Sequence, residues 1–177
     1  MRAAFLTIAL IVPLAAFAAG GGSFAPPPPT ETTTKCSGAQ VWDNKTKSCV
    51  DSRDSRLSDQ DRYHAVRELA YAGFYDRASA VLATFEHPQA SRPLTYAGFI
   101  ARKTGNTAAA FGYYEQALAA DPDNLLARSY LGQGFVAVGN LTAARAQLQE
   151  IRARGGRETW AEFALATSIR TSRGYAY

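Results

Sequence analysis

From Ser58 onward the apolar positions recur at helical spacing. Leu94, Ala97, Gly98 and Ala101 fall on one face of a helix. Gly105 is a stop signal for that helix and Asn106 a cap for the next. The same pair returns at Gly139-Asn140, and Asp121-Pro122-Asp123-Asn124 between them reads as a turn followed by a capped start, with Asp123 or Asn124 accepting from the first free amides. A last periodic stretch, Thr159 to Arg170, predicts a helix without a partner, placed where an open helical stack needs a solvating end. Upstream of residue 58 the pattern changes. A charge-free apolar run from Ala3 to Ala19 follows Met1-Arg2 and contains the small-residue triplet Ala16-Phe17-Ala18. That is the layout of a secretory signal peptide, 1–18, cleaved after Ala18; an uncleaved anchor is the rival reading. Residues 19–35, rich in Gly, Pro and Thr, offer almost nothing to bury and are expected to form a linker, extended over Pro26–Pro29.

The chain also repeats itself. Gly98 to Gly132, Gly105 to Gly139 and Ala110 to Ala144 are each 34 residues apart, and Gly73 with Ala78 forms a fainter copy at an offset of 32. A period of this length predicts stacked helical hairpins. The period and its marker residues resemble the tetratricopeptide repeat. In that family a small residue on the first helix meets one on the second twelve positions later, and Gly98 with Ala110, then Gly132 with Ala144, match the pair. Tyr114, Ala117 and Pro122 match further family positions, whereas Val66 stands where the first repeat would carry glycine and Gly156 where the third would carry proline. The resemblance implies an all-α solenoid over residues 58–173, three hairpins plus a capping helix. Abundant alanine with few valines and isoleucines agrees with this and argues against an all-β fold.

The only cysteines, Cys36 and Cys49, are expected to form one disulfide in an exported chain, stapling a hairpin at 36–50 whose strand enters a turn at Val41-Trp42-Asp43-Asn44. The segment resembles short cystine knobs in exported proteins, some of which are thought to touch carbohydrate. Trp42 either stacks on a sugar ring or plugs the disulfide.

Family resemblance also implies where a partner sits: in a concave groove lined by the first helices. The positions selected are Tyr63, His64, Arg67 and Tyr71, then Arg92, Tyr96, Phe99, Arg102 and Lys103, then Ser129, Tyr130 and Gln133. That mixture of tyrosine and basic residues has the composition of binding hot spots. A second basic cluster, Arg152, Arg154 and Arg157, either docks an anion or complements a helix C-terminus. A net charge of +4 is too mild for a dedicated nucleic-acid binder. His64 and His87 lie far apart, no nucleophile pair or nucleotide-binding glycine loop is present, and no metal or cofactor is expected. The expected function is a non-catalytic adaptor, periplasmic or secreted, that holds a peptide or protein in its groove and keeps no membrane anchor after signal removal. The alternative makes the cystine hairpin a glycan-binding head, through Trp42, on a helical stalk.

Overall fold

The computed structural model describes residues 28–173, so the expected signal segment and most of the expected linker lie outside the described residues. In chain order the elements are α1 (Glu31–Thr34), β1 (Gln40–Asp43), β2 (Ser48–Asp51), α2 (Asp59–Tyr71), α3 (Tyr75–Leu82), α4 (Ser91–Lys103), α5 (Thr107–Ala120), α6 (Leu125–Ala137), α7 (Leu141–Ala153) and α8 (Trp160–Thr171). Three hairpins, α2–α3, α4–α5 and α6–α7, are followed by the single helix α8, as the repeat predicts. Among the described residues no helix is long and apolar enough to cross a membrane.

The punctuation works as the residues dictate. Gly73, Gly105 and Gly139 take positive φ of 82°, 90° and 77° in the loops that turn each hairpin, a conformation that costs glycine little. Asn106 and Asn140 then accept from the amides of Ala109 and Ala143, satisfying donors that a helix start leaves orphaned. At the α5–α6 turn it is Asn124 that caps, accepting from Ala127 N–H at 3.0 Å. Its side-chain amide also donates to Ser91 Oγ and Thr95 Oγ1, tying the start of α6 to α4.

The first helices lie side by side, α2 on α4, α4 on α6 and α6 on α8, while α3, α5 and α7 form the outer layer. The main core runs between these layers from Val66, Leu69 and Val81 through Tyr96, Phe99 and Tyr114 to Tyr130 and Leu131. Two glycines on the first helices permit close approaches. A Cβ on Gly98 would stand 2.5 Å from the Tyr114 ring, and one on Gly132 would stand 2.6 Å from Leu165 of α8. What crowds the marker glycines is therefore a large side chain and not the alanine partner expected from the repeat pattern.

Two expectations about the N-terminal region change. Residues 30–35 are not part of a linker: Thr30 caps α1 through a reciprocal capping box, and Thr32 is buried. Thr30 Oγ1 donates to Glu68 Oε2 at 2.7 Å, and Thr32 Oγ1 accepts from Trp42 N–H at 3.3 Å, so α1 is fastened both to α2 and to the hairpin. Nor is the hairpin a detached head. Cys36 and Cys49 are bonded, β1 and β2 pair antiparallel with Val41 opposite Val50, and Val41, 3% exposed, belongs to the main core. Arg77 of α3 completes the docking by donating to the backbone carbonyls of Thr32, Cys36 and Gly38 at 2.9–3.0 Å. Three carbonyls that would otherwise compete for water are satisfied by one guanidinium. The cystine hairpin thus closes the first end of the stack as α8 closes the other.

Candidate functional site

The first-helix layer carries a continuous sheet of aromatic rings. Tyr63 meets Tyr96 edge-on with centroids 5.6 Å apart, Tyr71 meets Phe99 at 5.7 Å, and Phe99 meets Tyr130 at 5.0 Å. Tyr130 then meets Trp160 of α8 at 5.9 Å. Edge-to-face pairing at these distances adds to the apolar area each ring buries. The hydroxyls are bonded too: Tyr71 and Tyr130 lie 2.7 Å apart through their oxygens, and Tyr96 donates to Tyr71 at 3.4 Å. A tyrosine can be buried in this way only because its polar tip has a partner.

Basic side chains stand over this floor. Arg92 lies 5.1 Å from the Tyr63 centroid, Arg67 5.6 Å from Tyr71, Arg102 5.7 Å from Phe99 and 5.9 Å from Tyr130, and Lys103 5.6 Å from Phe99. Arg67 and Arg92 are exposed, and Arg102 and Lys103 are half-buried. Arg92 donates to Gln60 Oε1 at 2.9 Å; Arg102 reaches Tyr114 Oη and Gln133 Oε1 only at 3.4 and 3.5 Å. Among the described residues, no carboxylate lies within 4 Å of Arg67, Arg92 or Arg102. Burial, and then the charge of Arg102, push the Lys103 ammonium below its usual pKa.

Several expected contact residues are placed differently. Tyr96 and Tyr130 are 0% exposed, Phe99 1%, and both Gln133 and Ser129 0%, the last two bonded to each other at 3.2 Å. These five are the floor and core of the strip and offer a partner no side-chain surface. The reason is that neighbouring first helices pack against one another through these positions, and only the long basic side chains and the half-buried Tyr63 and Tyr71 emerge. His64 belongs elsewhere as well: it bonds Gln60 at 2.7 Å and lines a cleft facing the cystine hairpin. Trp160, whose ring extends the floor, was not among the expected residues; its only signal is an aromatic at the start of an unpaired helix.

That cleft, about 210 Å³, is bounded by Thr30, Glu31 and Trp42 on one side and by Asp61, His64 and Glu68 of α2 on the other. Trp42 sits opposite Cys49 in the ladder, and the Lys35 ammonium lies 4.7 Å from its ring centroid. Two members of the second basic cluster, Arg152 and Arg154, have acids within the chain. Arg152 pairs with Glu162 at 2.6 Å, and Arg154 pairs with Asp123 and with Glu150. Among the described residues no group of three His, Cys, Asp or Glu is arranged to hold a metal ion.

The buried phenols give the site a pH signature. Burial drives Tyr96 well above its ordinary pKa and pushes Tyr114 up to about 12. A phenol raised in the folded state contributes stability that is fully present below its unfolded value of about 10 and is lost as pH rises through the folded value. We expect the helical signal to hold to about pH 10 and to fall between there and pH 12, together with the rise in phenolate absorbance. Titration of all tyrosines below pH 11 with the helices intact would contradict this.

Residues 101–164, from the end of α4 into α8, match the family model described as tetratricopeptide repeat. Comparison with curated proteins and with solved structures finds no match. Tetratricopeptide repeats generally mediate protein–protein interaction. That match, the 34-residue offsets between α4–α5 and α6–α7, and the paired layers of first and second helices together support a tetratricopeptide-repeat solenoid, the family model itself covering residues 101–164.

Proposed function

We propose that this chain is an extracytoplasmic, non-catalytic scaffold that binds a protein or peptide segment across the face of its first helices. The observation that carries the reading is the aromatic floor with Arg67, Arg92, Arg102 and Lys103 above it. Stacked helical repeats create extended surfaces, and a rigid floor presenting side chains from three helices holds a segment at little conformational cost. The extracytoplasmic placement rests on the signal-like N-terminus and on a disulfide of a kind that persists in oxidising compartments. The test is affinity capture after crosslinking in the native cell, run beside Arg67→Gln combined with Arg102→Gln. Both side chains emerge from the fold, so the double variant keeps its helical circular dichroism. Loss of a discrete captured protein is expected; unchanged capture would overturn the reading.

A second reading is motivated by the cleft beside the hairpin, where Trp42, carboxylates and a histidine line one small cavity. Such a set suits a sugar ring, with stacking on the indole and hydroxyls meeting carboxylates. Retention on isolated envelope polysaccharide that disappears in Trp42→Ala would support it. Equal retention of both proteins, or none, would reject it.

A further inference from the structure

The cleft between the cystine hairpin and α2 says more about its ligand, provided the second reading above holds. Its volume of about 210 Å³ lies below the roughly 300–1,000 Å³ of pockets that enclose drug-sized ligands, so it suits a single sugar ring and not a longer chain. Both walls are fixed. The half-buried Trp42 stands opposite Cys49 of the disulfide, and Asp61, His64 and Glu68 project from one helix. Thr30 donates to Glu68 Oε2 and Ser58 to Asp61 Oδ2, which leaves Glu68 Oε1 and Asp61 Oδ1 without a hydrogen bond among the described residues. The bonds from Ser58 hold Asp61 below its usual pKa. No lysine or arginine lies on the wall, and among the described residues none comes within 4 Å of Glu31, Asp61 or Glu68. Lys35, over the Trp42 ring, and Lys45, in the hairpin turn, stand outside it. Other acids of the chain have found arginines: Asp59 has Arg62, Asp123 has Arg154 and Glu162 has Arg152.

A neutral sugar leaves this charge unrelieved. Its hydroxyls can donate to the open oxygens, but carboxylates gathered in one small cleft still repel one another, and each costs the others part of their ionised form. A cation removes the repulsion. We infer that this cleft takes a hexosamine with a free, protonated amine, its ammonium meeting Glu31, Asp61 and Glu68 while a C–H face of the ring lies on Trp42. The ammonium brings N–H donors to oxygens that lack them, and hydrogen bonds of this charged kind are roughly twice as strong as neutral ones. The indole takes the apolar face of the ring and attracts the positive charge beside it. Acetylating the nitrogen keeps the ring and removes the charge, so two forms of one sugar separate the contributions.

The experiment is calorimetric titration of the full chain with a tetramer of glucosamine and with the same tetramer N-acetylated, at pH 7, where carboxylates are ionised and primary amines largely protonated. The inference expects the free-amine form to bind about tenfold tighter or more, with the preference shrinking as salt rises. Trp42→Ala should weaken both forms. Glu31→Gln with Glu68→Gln, in which position 68 can still accept from Thr30, should keep the helical circular dichroism and remove only the preference. Equal affinity for the two forms, lost in Trp42→Ala, would overturn the inference and leave the glycan reading standing. Binding of neither form would overturn both. A free-amine preference untouched by the glutamine pair, or matched by tri-lysine, would also overturn the inference, since charge alone and not this cleft would then account for it.

Discussion

Tyr130→Ala is expected to lower the unfolding free energy by about 3–5 kcal/mol, the range for truncating a fully buried aromatic. The ring is 0% exposed and lies among Phe99, Tyr96, Tyr114 and Trp160, at centroid distances between 5.0 and 6.4 Å. Truncation removes packing from three first helices and from the capping helix at once. It also strips Tyr71 of a hydroxyl partner at 2.7 Å. A repeat domain of this size has only about 5–15 kcal/mol in total, so the variant should show a much lower urea midpoint, with partial unfolding at ambient temperature. Tyr130→Phe, which keeps the ring, should cost only about 1 kcal/mol. A Tyr130→Ala protein as stable as the parent would mean that this ring is not the centre of the core.

The second large effect is expected at the disulfide. Replacing Cys36 and Cys49 together by serine should cost about 3 kcal/mol, from the added freedom of the unfolded loop between positions 13 apart. Here the cost extends beyond the loop, because the hairpin is the first cap of the stack. Val41 enters the main core, and Arg77 holds three carbonyls of the same segment. Amide exchange should therefore accelerate in α2 and α3 as well as in the hairpin, while α6 to α8 remain protected. If the serine variant exchanged faster only between residues 36 and 50, the hairpin would be an appendage and not a cap.

How much of this was legible in the residues follows from where each signal lives. Helix boundaries from α2 to α8 depend on local chemistry: Gly105 and Gly139 must take positive φ, Asn106 and Asn140 must cap, and Pro122 must turn. Each is readable from its neighbours alone. The helix α1 was not, since Glu31-Thr32-Thr33-Thr34 has no apolar periodicity and is held by hydroxyl bonds to Glu68 and to the hairpin, contacts that cross 38 and 10 positions. At the site, the groove positions implied by the family resemblance, carried over in register, brought Arg67, Arg92, Arg102 and Lys103 to one face. They did not decide whether a tyrosine on that face points outward or between helices. Tyr63 emerges and Tyr96 does not, because Tyr96 finds Tyr71 for its hydroxyl and rings on both sides, a three-helix arrangement with no local trace. This also changes which variants are informative: Tyr96→Ala tests the core, whereas Arg67→Gln and Arg102→Gln test the surface.

The central claim is that a partner docks on the first-helix face. The most direct measurement introduces a photo-activated crosslinking amino acid in place of Arg67 in one protein and in place of Tyr113 in another, Tyr113 being 37% exposed on the outer helix α5. Both are irradiated in the native cell. A discrete adduct from the Arg67 position and none from the Tyr113 position is the predicted result. Adducts of the same protein from both positions, or from Tyr113 alone, would contradict the account.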